Sequence, residues 1–107
     1  MSKESVVIVA ARRTPIGSFQ GALAPATAPQ LSAAATRACL ADAALDGKDI
    51  NEALLGCVLP AGLGQAPARQ AVLASGLPQS VRTTTINKVC GSGMQATMLG
   101  HDLILAG

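Results

Sequence analysis

The chain places one cysteine where its surroundings would make it reactive, in the stretch Asn87-Lys88-Val89-Cys90-Gly91-Ser92-Gly93-Met94. Residues 81–89 (VRTTTINKV) are β-branched and polar-flanked, the pattern of a strand. Residues 94–106 hold no proline and many strong helix formers, the pattern of a helix. Cys90 therefore falls at an expected strand-to-helix turn. Gly91 and Gly93 permit tight or positive-φ backbone, and Ser92 is a good N-cap. A thiol at a helix N-terminus faces unpaired N–H groups and the positive end of the macrodipole, both of which favour the thiolate. The thiolate is the nucleophilic form, so the expected chemistry is covalent catalysis through sulfur. The plainer alternative is a small buried hydrophobe, the common fate of a free cysteine.

His101 invites a Cys–His pairing, and helix geometry refuses it. It lies eleven residues along the same expected helix, about 16 Å away at 1.5 Å per residue. A general base must come within about 3 Å of its proton or act through one water. His101 thus reads as a packed or hydrogen-bonded residue, paired locally with Asp102. Cys39, in an alanine-rich helix, and Cys57, in an apolar strand, read as structural thiols. Met94 and Met98 are a helical pair and read as core packing. Ser92 reads as a cap, not a second nucleophile. Asn87 is expected to orient the turn through its amide, with no chemistry of its own.

The elements that must position Cys90 follow from the rest of the pattern. Residues 5–11 (SVVIVAA) are nearly continuous in β-branched character, as in a strand buried on both faces of a parallel sheet. Pro15, Gly17, Gly21 and Pro25 mark residues 14–27 as loop. A helix is expected over residues 28–45, beginning near Thr27 or Pro29. Leu31, Ala34, Ala35, Ala38 and Leu45 share one of its faces, with Asp42 interrupting it. Asp46-Gly47 ends this helix, and residues 50–55 add a short turn of another. A second strand lies within residues 52–59, followed by a glycine loop over 60–65. Pro67 opens a short helix through Ser75, stopped by Gly76 and Pro78. The β-α-β-α-β-α order predicts an α/β fold, a mostly parallel sheet with helices on its faces. Such sheets bind ligands beyond the carboxyl ends of their strands, where Cys90 falls.

Composition narrows the partners. The net charge of +2 is small, the basic residues are scattered, and Phe19 is the single aromatic, so nothing points to nucleic acid. No apolar run reaches the roughly 20 residues of a membrane span, and residues 1–5 lack the character of a signal peptide. Three cysteines without metal spacing fit reduced thiols and a cytoplasmic setting. Half of the residues are hydrophobic (50%) and only 13% are charged, a balance expected of a chain that packs against further protein.

The string Ile86-Asn87-Lys88-Val89-Cys90-Gly91-Ser92-Gly93-Met94 resembles the acyl-enzyme cysteine signature of the thiolases. Arg12-Arg13-Thr14-Pro15-Ile16-Gly17-Ser18-Phe19 resembles the segment after their first strand. Gly56-Cys57-Val58-Leu59-Pro60-Ala61-Gly62, with Gly64-Gln65-Ala66-Pro67-Ala68-Arg69-Gln70-Ala71, resembles their second strand and loop, and Leu99-Gly100-His101-Asp102-Leu103-Ile104 the helix after the nucleophile. The resemblance implies an acyltransferase of the acetyl-CoA C-acetyltransferase type, with Cys90 as the acyl-thioester nucleophile and its backbone N–H helping to hold the oxyanion. It implies acyl-CoA and CoA as substrates, no metal or redox cofactor, and a homo-oligomer, dimer or tetramer, in the full-length protein.

The family's Gly-His-Pro and Cys-x-Gly motifs, which supply the base and second cysteine, do not occur in this sequence, and His101 precedes Asp102 instead of proline. Residues 1–107 are therefore expected to be part of a thiolase N-terminal domain, inactive alone. The resemblance puts residues 65–71 near the subunit contact, so Arg69 reads as a solvated or interface residue in preference to a CoA-phosphate ligand. The competing reading is a non-catalytic structural or dimerising half-domain. Related condensing enzymes lack this set of flanking motifs, and a thiol redox protein would need a Cys-x-x-Cys.

Overall fold

The computed structural model describes residues 5–107. Its elements are α1 (Ala28–Ala43), a 3₁₀ turn (Gly47–Asp49), β1 (Glu52–Gly56), α2 (Pro67–Ala74), β2 (Arg82–Ile86) and α3 (Ser92–Ala106). The two strands run parallel, with Glu52 beside Arg82 and Gly56 beside Ile86. This is an α/β arrangement in which a helix crosses between parallel strands, as the sequence predicts.

Side-chain alternation along β1 sorts the helices onto its two faces. Ala53 packs against the cluster of Val72, Leu77 and Val81, and Leu55 lies with Ala68 and Ala71 of α2. Leu54 points the other way and meets Gly100 of α3, and Gly56 meets the first turn of that helix. The sheet is thus covered by α2 on one side and α3 on the other, with α1 packed on α2.

Local chemistry explains where each helix starts and stops. Thr27 caps α1: its hydroxyl accepts from the Gln30 N–H at 3.3 Å, and Gln30 Oε1 accepts from the Thr27 N–H at 2.8 Å. Ala44, left-handed at φ 54°, ends the helix, and Leu45 N–H closes back on the Leu40 carbonyl. The stop comes before Leu45, which is exposed, as is Ala34; Ala33 and Leu40 face the core instead. A helix rich in alanine on every side has no sharp apolar stripe, so its periodicity could not single out the buried face. Asp42, which breaks the expected face, accepts from Arg12 at 2.9 Å. That hydrogen bond holds the Asp42 carboxyl below its ordinary value, with the attraction of the guanidinium adding to it.

Two expected elements are absent. Residues 50–55 add no helical turn; the 3₁₀ turn precedes them, capped by Asp46, and β1 begins at Glu52. Residues 5–11 form no strand, and Val7, Ile8 and Val9 are 69%, 80% and 66% exposed. A strand buried on both faces needs two covering layers as well as a ladder partner, and among the described residues no such layers surround this segment. Residues 1–4, part of the segment read as unlike a signal peptide, lie outside the described residues.

What remains is a small core. Val72 and Val81 are the largest fully buried side chains, and Leu40, Ile50 and Ala53 only partly close around them. Burying such a side chain contributes about 1.5–3 kcal/mol, whereas ordering each residue's backbone costs about 1–2 kcal/mol. Ile16, Phe19 and Leu59 are meanwhile 91%, 93% and 80% exposed, and Met94 and Met98, expected in the core, are 71% and 46% exposed. We expect the isolated 107-residue chain to self-associate through these surfaces and its unpaired strand edges. Analytical ultracentrifugation checks this; a monodisperse monomer with a cooperative melt would contradict it.

Candidate active site

Cys90 sits in the turn between β2 and α3 and is exposed, so it is not the small buried hydrophobe of the plainer reading. The turn begins where Cys57 N–H donates to the Ile86 carbonyl at 2.9 Å, carrying the ladder just past the end of β1. Asn87 follows, and its side chain makes two bonds. Its Oδ1 accepts from Val89 N–H at 3.0 Å, and its Nδ2 donates to the Val58 carbonyl at 3.2 Å. The amide does orient the turn, as the sequence suggests.

Two details differ from expectation. The positive φ falls on Val89, at 46°, whereas Gly91 takes an ordinary φ of −91°. Nor is Ser92 the N-cap. Gly91 occupies that position with no side-chain cap, and Ser92 is the first residue of the helix. The buried Ser92 hydroxyl instead closes the turn, accepting from Lys88 N–H at 2.8 Å and donating to the Val89 carbonyl at 2.6 Å. Lys88 extends outward, its Nζ donating to Gln95 Oε1 at 3.1 Å.

The residue that sequence reasoning missed is Gly56. A β-carbon there would lie 2.8 Å from both Gly93 N and the Ser92 carbonyl carbon. The first turn of α3 can approach β1 only because that side chain is missing. A glycine inside a strand pattern is the available signal for such an approach.

None of the other candidates shares a hydrogen bond with the cysteine among the described residues, though Cys57 adjoins the start of its turn. His101 Nδ1 lies 3.2 Å from Asp102 Oδ1, a local pair well along α3. Cys39 lies in α1 and Cys57 just beyond β1, both half-buried. Arg69 is half-buried, and its guanidinium donates to the carbonyls of Val81 at 2.9 Å and Gln79 at 3.0 Å. It braces the approach to β2 from within. Gln70 does the same for the glycine loop, donating to Leu63 and Gln65 carbonyls. No helix among the described residues is long and apolar enough to cross a membrane.

An exposed cysteine at a strand-to-helix turn of a parallel α/β domain suits chemistry through sulfur, and comparison with known proteins gives the family. The family description "Thiolase, N-terminal domain" matches residues 6–107. An Acetyl-CoA acetyltransferase of Pseudomonas aeruginosa is 53% identical over 104 residues, covering 97% of this chain and 26% of that protein. The mitochondrial Acetyl-CoA acetyltransferase of Xenopus tropicalis is 50% identical over 102 residues, 95% of this chain and 24% of that one. A cytosolic counterpart from Gibberella zeae is 48% identical over 102 residues, 95% of this chain and 26% of its own length. A thiolase of Ascaris suum, crystallised with coenzyme A, superposes with a TM-score of 0.87 at 42% identity, covering 89% of this chain and 25% of that one. The chain belongs to the thiolase family. It spans about a quarter of the length of the curated relatives it matches.

That similarity makes a chimera practical, in which residues 1–107 replace the corresponding quarter of the Pseudomonas aeruginosa protein. In it, Gly56→Ala is expected to cost about 1–3 kcal/mol of stability by forcing apart packed backbone. Denaturant unfolding measures this, and an unchanged midpoint would remove Gly56 from its role. Iodoacetamide at neutral pH is expected to label Cys90 before Cys39 and Cys57, because it alone of the three is exposed. Peptide mass spectrometry reads the order, with the denatured protein as control; early labelling of Cys39 would count against the assignment.

Proposed function

We propose that this chain carries the acyl-accepting cysteine of a thiolase-type acyltransferase acting on CoA thioesters. Cys90 Sγ attacks the thioester carbonyl, the carbon–sulfur bond to CoA breaks, and CoA leaves as its thiol with one proton. The acyl group is then a thioester on Cys90. In the synthetic direction a second acetyl-CoA gives an α-proton to a base from the rest of the enzyme, its enolate forms a carbon–carbon bond to that carbonyl, and Cys90 leaves as thiolate and takes up that proton; the products are acetoacetyl-CoA and free enzyme. The reverse sequence cleaves a 3-ketoacyl-CoA with CoA. Each step exchanges one thioester or carbanion for another, so electrons balance with no redox cofactor or metal.

The observation that supports this most directly is the exposed cysteine with its own amide free. Among the described residues Cys90 N–H has no hydrogen-bond partner, while the Val89 carbonyl on the same peptide is bound by Ser92. The peptide is planar and trans, so fixing that carbonyl points the Cys90 N–H in the opposite direction. A donor held in advance near the sulfur is what a developing oxyanion requires. The proton-transfer groups are not at hand: His101 is bonded to Asp102 along the helix. The base, the second cysteine and the CoA pocket belong, on this reading, to the rest of a thiolase, and a homo-oligomer in the cytoplasm is the setting we assign to it.

The chain alone is expected to show no acetyl transfer, and the chimera to show it. In the chimera, radiolabelled acetyl-CoA is expected to leave label on the Cys90 peptide, and Cys90→Ala to lower kcat by roughly a thousandfold or more. Label elsewhere, or turnover that survives Cys90→Ala, would overturn the reading. Turnover by residues 1–107 alone would sink the division of labour proposed for the proton-transfer groups.

A further inference from the structure

The turn that presents Cys90 contains a strained residue. Val89 has φ 46°, where a β-branched side chain crowds its own backbone. Such a conformation persists only when its surroundings over-determine it. Here they do. Val89 N–H donates to Asn87 Oδ1 at 3.0 Å. Its carbonyl accepts from the Ser92 hydroxyl at 2.6 Å and from Ser92 N–H at 3.2 Å.

The two bracing side chains have different reach. Ser92 bonds only within the turn, to Lys88 and Val89. Asn87 also donates from Nδ2 to the carbonyl of Val58, which lies beyond the end of β1. One amide thus ties the cysteine turn to the exit of the neighbouring strand. Asn87 is itself exposed and takes no part in the cluster of Val72, Leu77 and Val81. Its loss should therefore move the turn and leave the core in place.

We propose that Asn87 is a positioning residue: its side-chain amide braces strained Val89 against the loop after β1 and thereby sets the direction of the Cys90 N–H and Sγ. The catalytic consequence rests on Cys90 being the acyl acceptor; the bracing does not.

The test uses the chimera. Asn87→Ala is expected to lower kcat for acetyl transfer about tenfold while the KM for acetyl-CoA stays within about twofold. Hydrogen exchange at the Val89 amide should quicken about tenfold, with amides of β1 and α2 unchanged. Adding Val89→Gly to Asn87→Ala should restore kcat to within about threefold of the parent chimera, because glycine holds positive φ without a brace. Unchanged kcat and exchange in Asn87→Ala would overturn the proposal. So would a deeper loss on adding Val89→Gly, or faster exchange throughout the domain. If Cys90→Ala keeps its acyl transfer, the nucleophile reading falls, and exchange at the Val89 amide alone then decides the brace: faster supports it, unchanged refutes it.

Discussion

The first turn of α3 rests on β1 at Gly56, with room between them for hydrogen and nothing larger. This close approach determines where the helix begins, and the beginning of the helix determines where Cys90 stands. A β-carbon at that position would meet backbone, which cannot swing aside as a flexible side chain can. The chain between β2 and α3 is consequently short and tightly folded. Apart from the Cys90 N–H, much of its backbone is bonded inside the turn through Ser92 and Asn87.

That compression explains why a valine and not a glycine carries the positive φ. Gly91 and Gly93 flank the helix start in ordinary conformations, and the bend is taken up one residue before the cysteine. Val89 holds it because both of its backbone polar groups are bonded. The strain therefore sits beside the reactive residue, where it fixes a direction for the peptide between Val89 and Cys90. Arg69, Gln70 and Arg37 act alike on the other loops, donating to carbonyls that the short helices and strands leave unpaired. With two strands and few large buried side chains among the described residues, the fold relies on such local braces more than on its core.

The order α, β, α, β, α and the strand-to-helix setting of Cys90 were legible in the sequence, because each element carries its own signal. Thr27 or Pro29 marks one helix start, Pro67 another, and the threonine-rich run before Asn87 marks β2. The segment 5–11 was legible only as a propensity. Its β-branched residues would suit a buried strand, but pairing is a property of neighbours, and among the described residues no strand pairs with it. Met94 and Met98 were misplaced for the same reason. Helical spacing shows which residues share a face, not whether anything covers that face.

Sequence by itself determined the chemistry on offer: one cysteine between a strand and a helix, a histidine too far along that helix to serve it, and motifs shared with the thiolases across nearly the whole chain. These depend on residue type and spacing, which the chain carries regardless of how it packs. Only the tertiary structure decided that Gly56 admits the helix, that Ser92 closes the turn instead of capping, and that Arg69 is spent on Val81 and Gln79. Each is a contact between residues distant in sequence or a competition among several partners within reach. Which partner wins depends on where the backbones come to rest, and no local pattern encodes that.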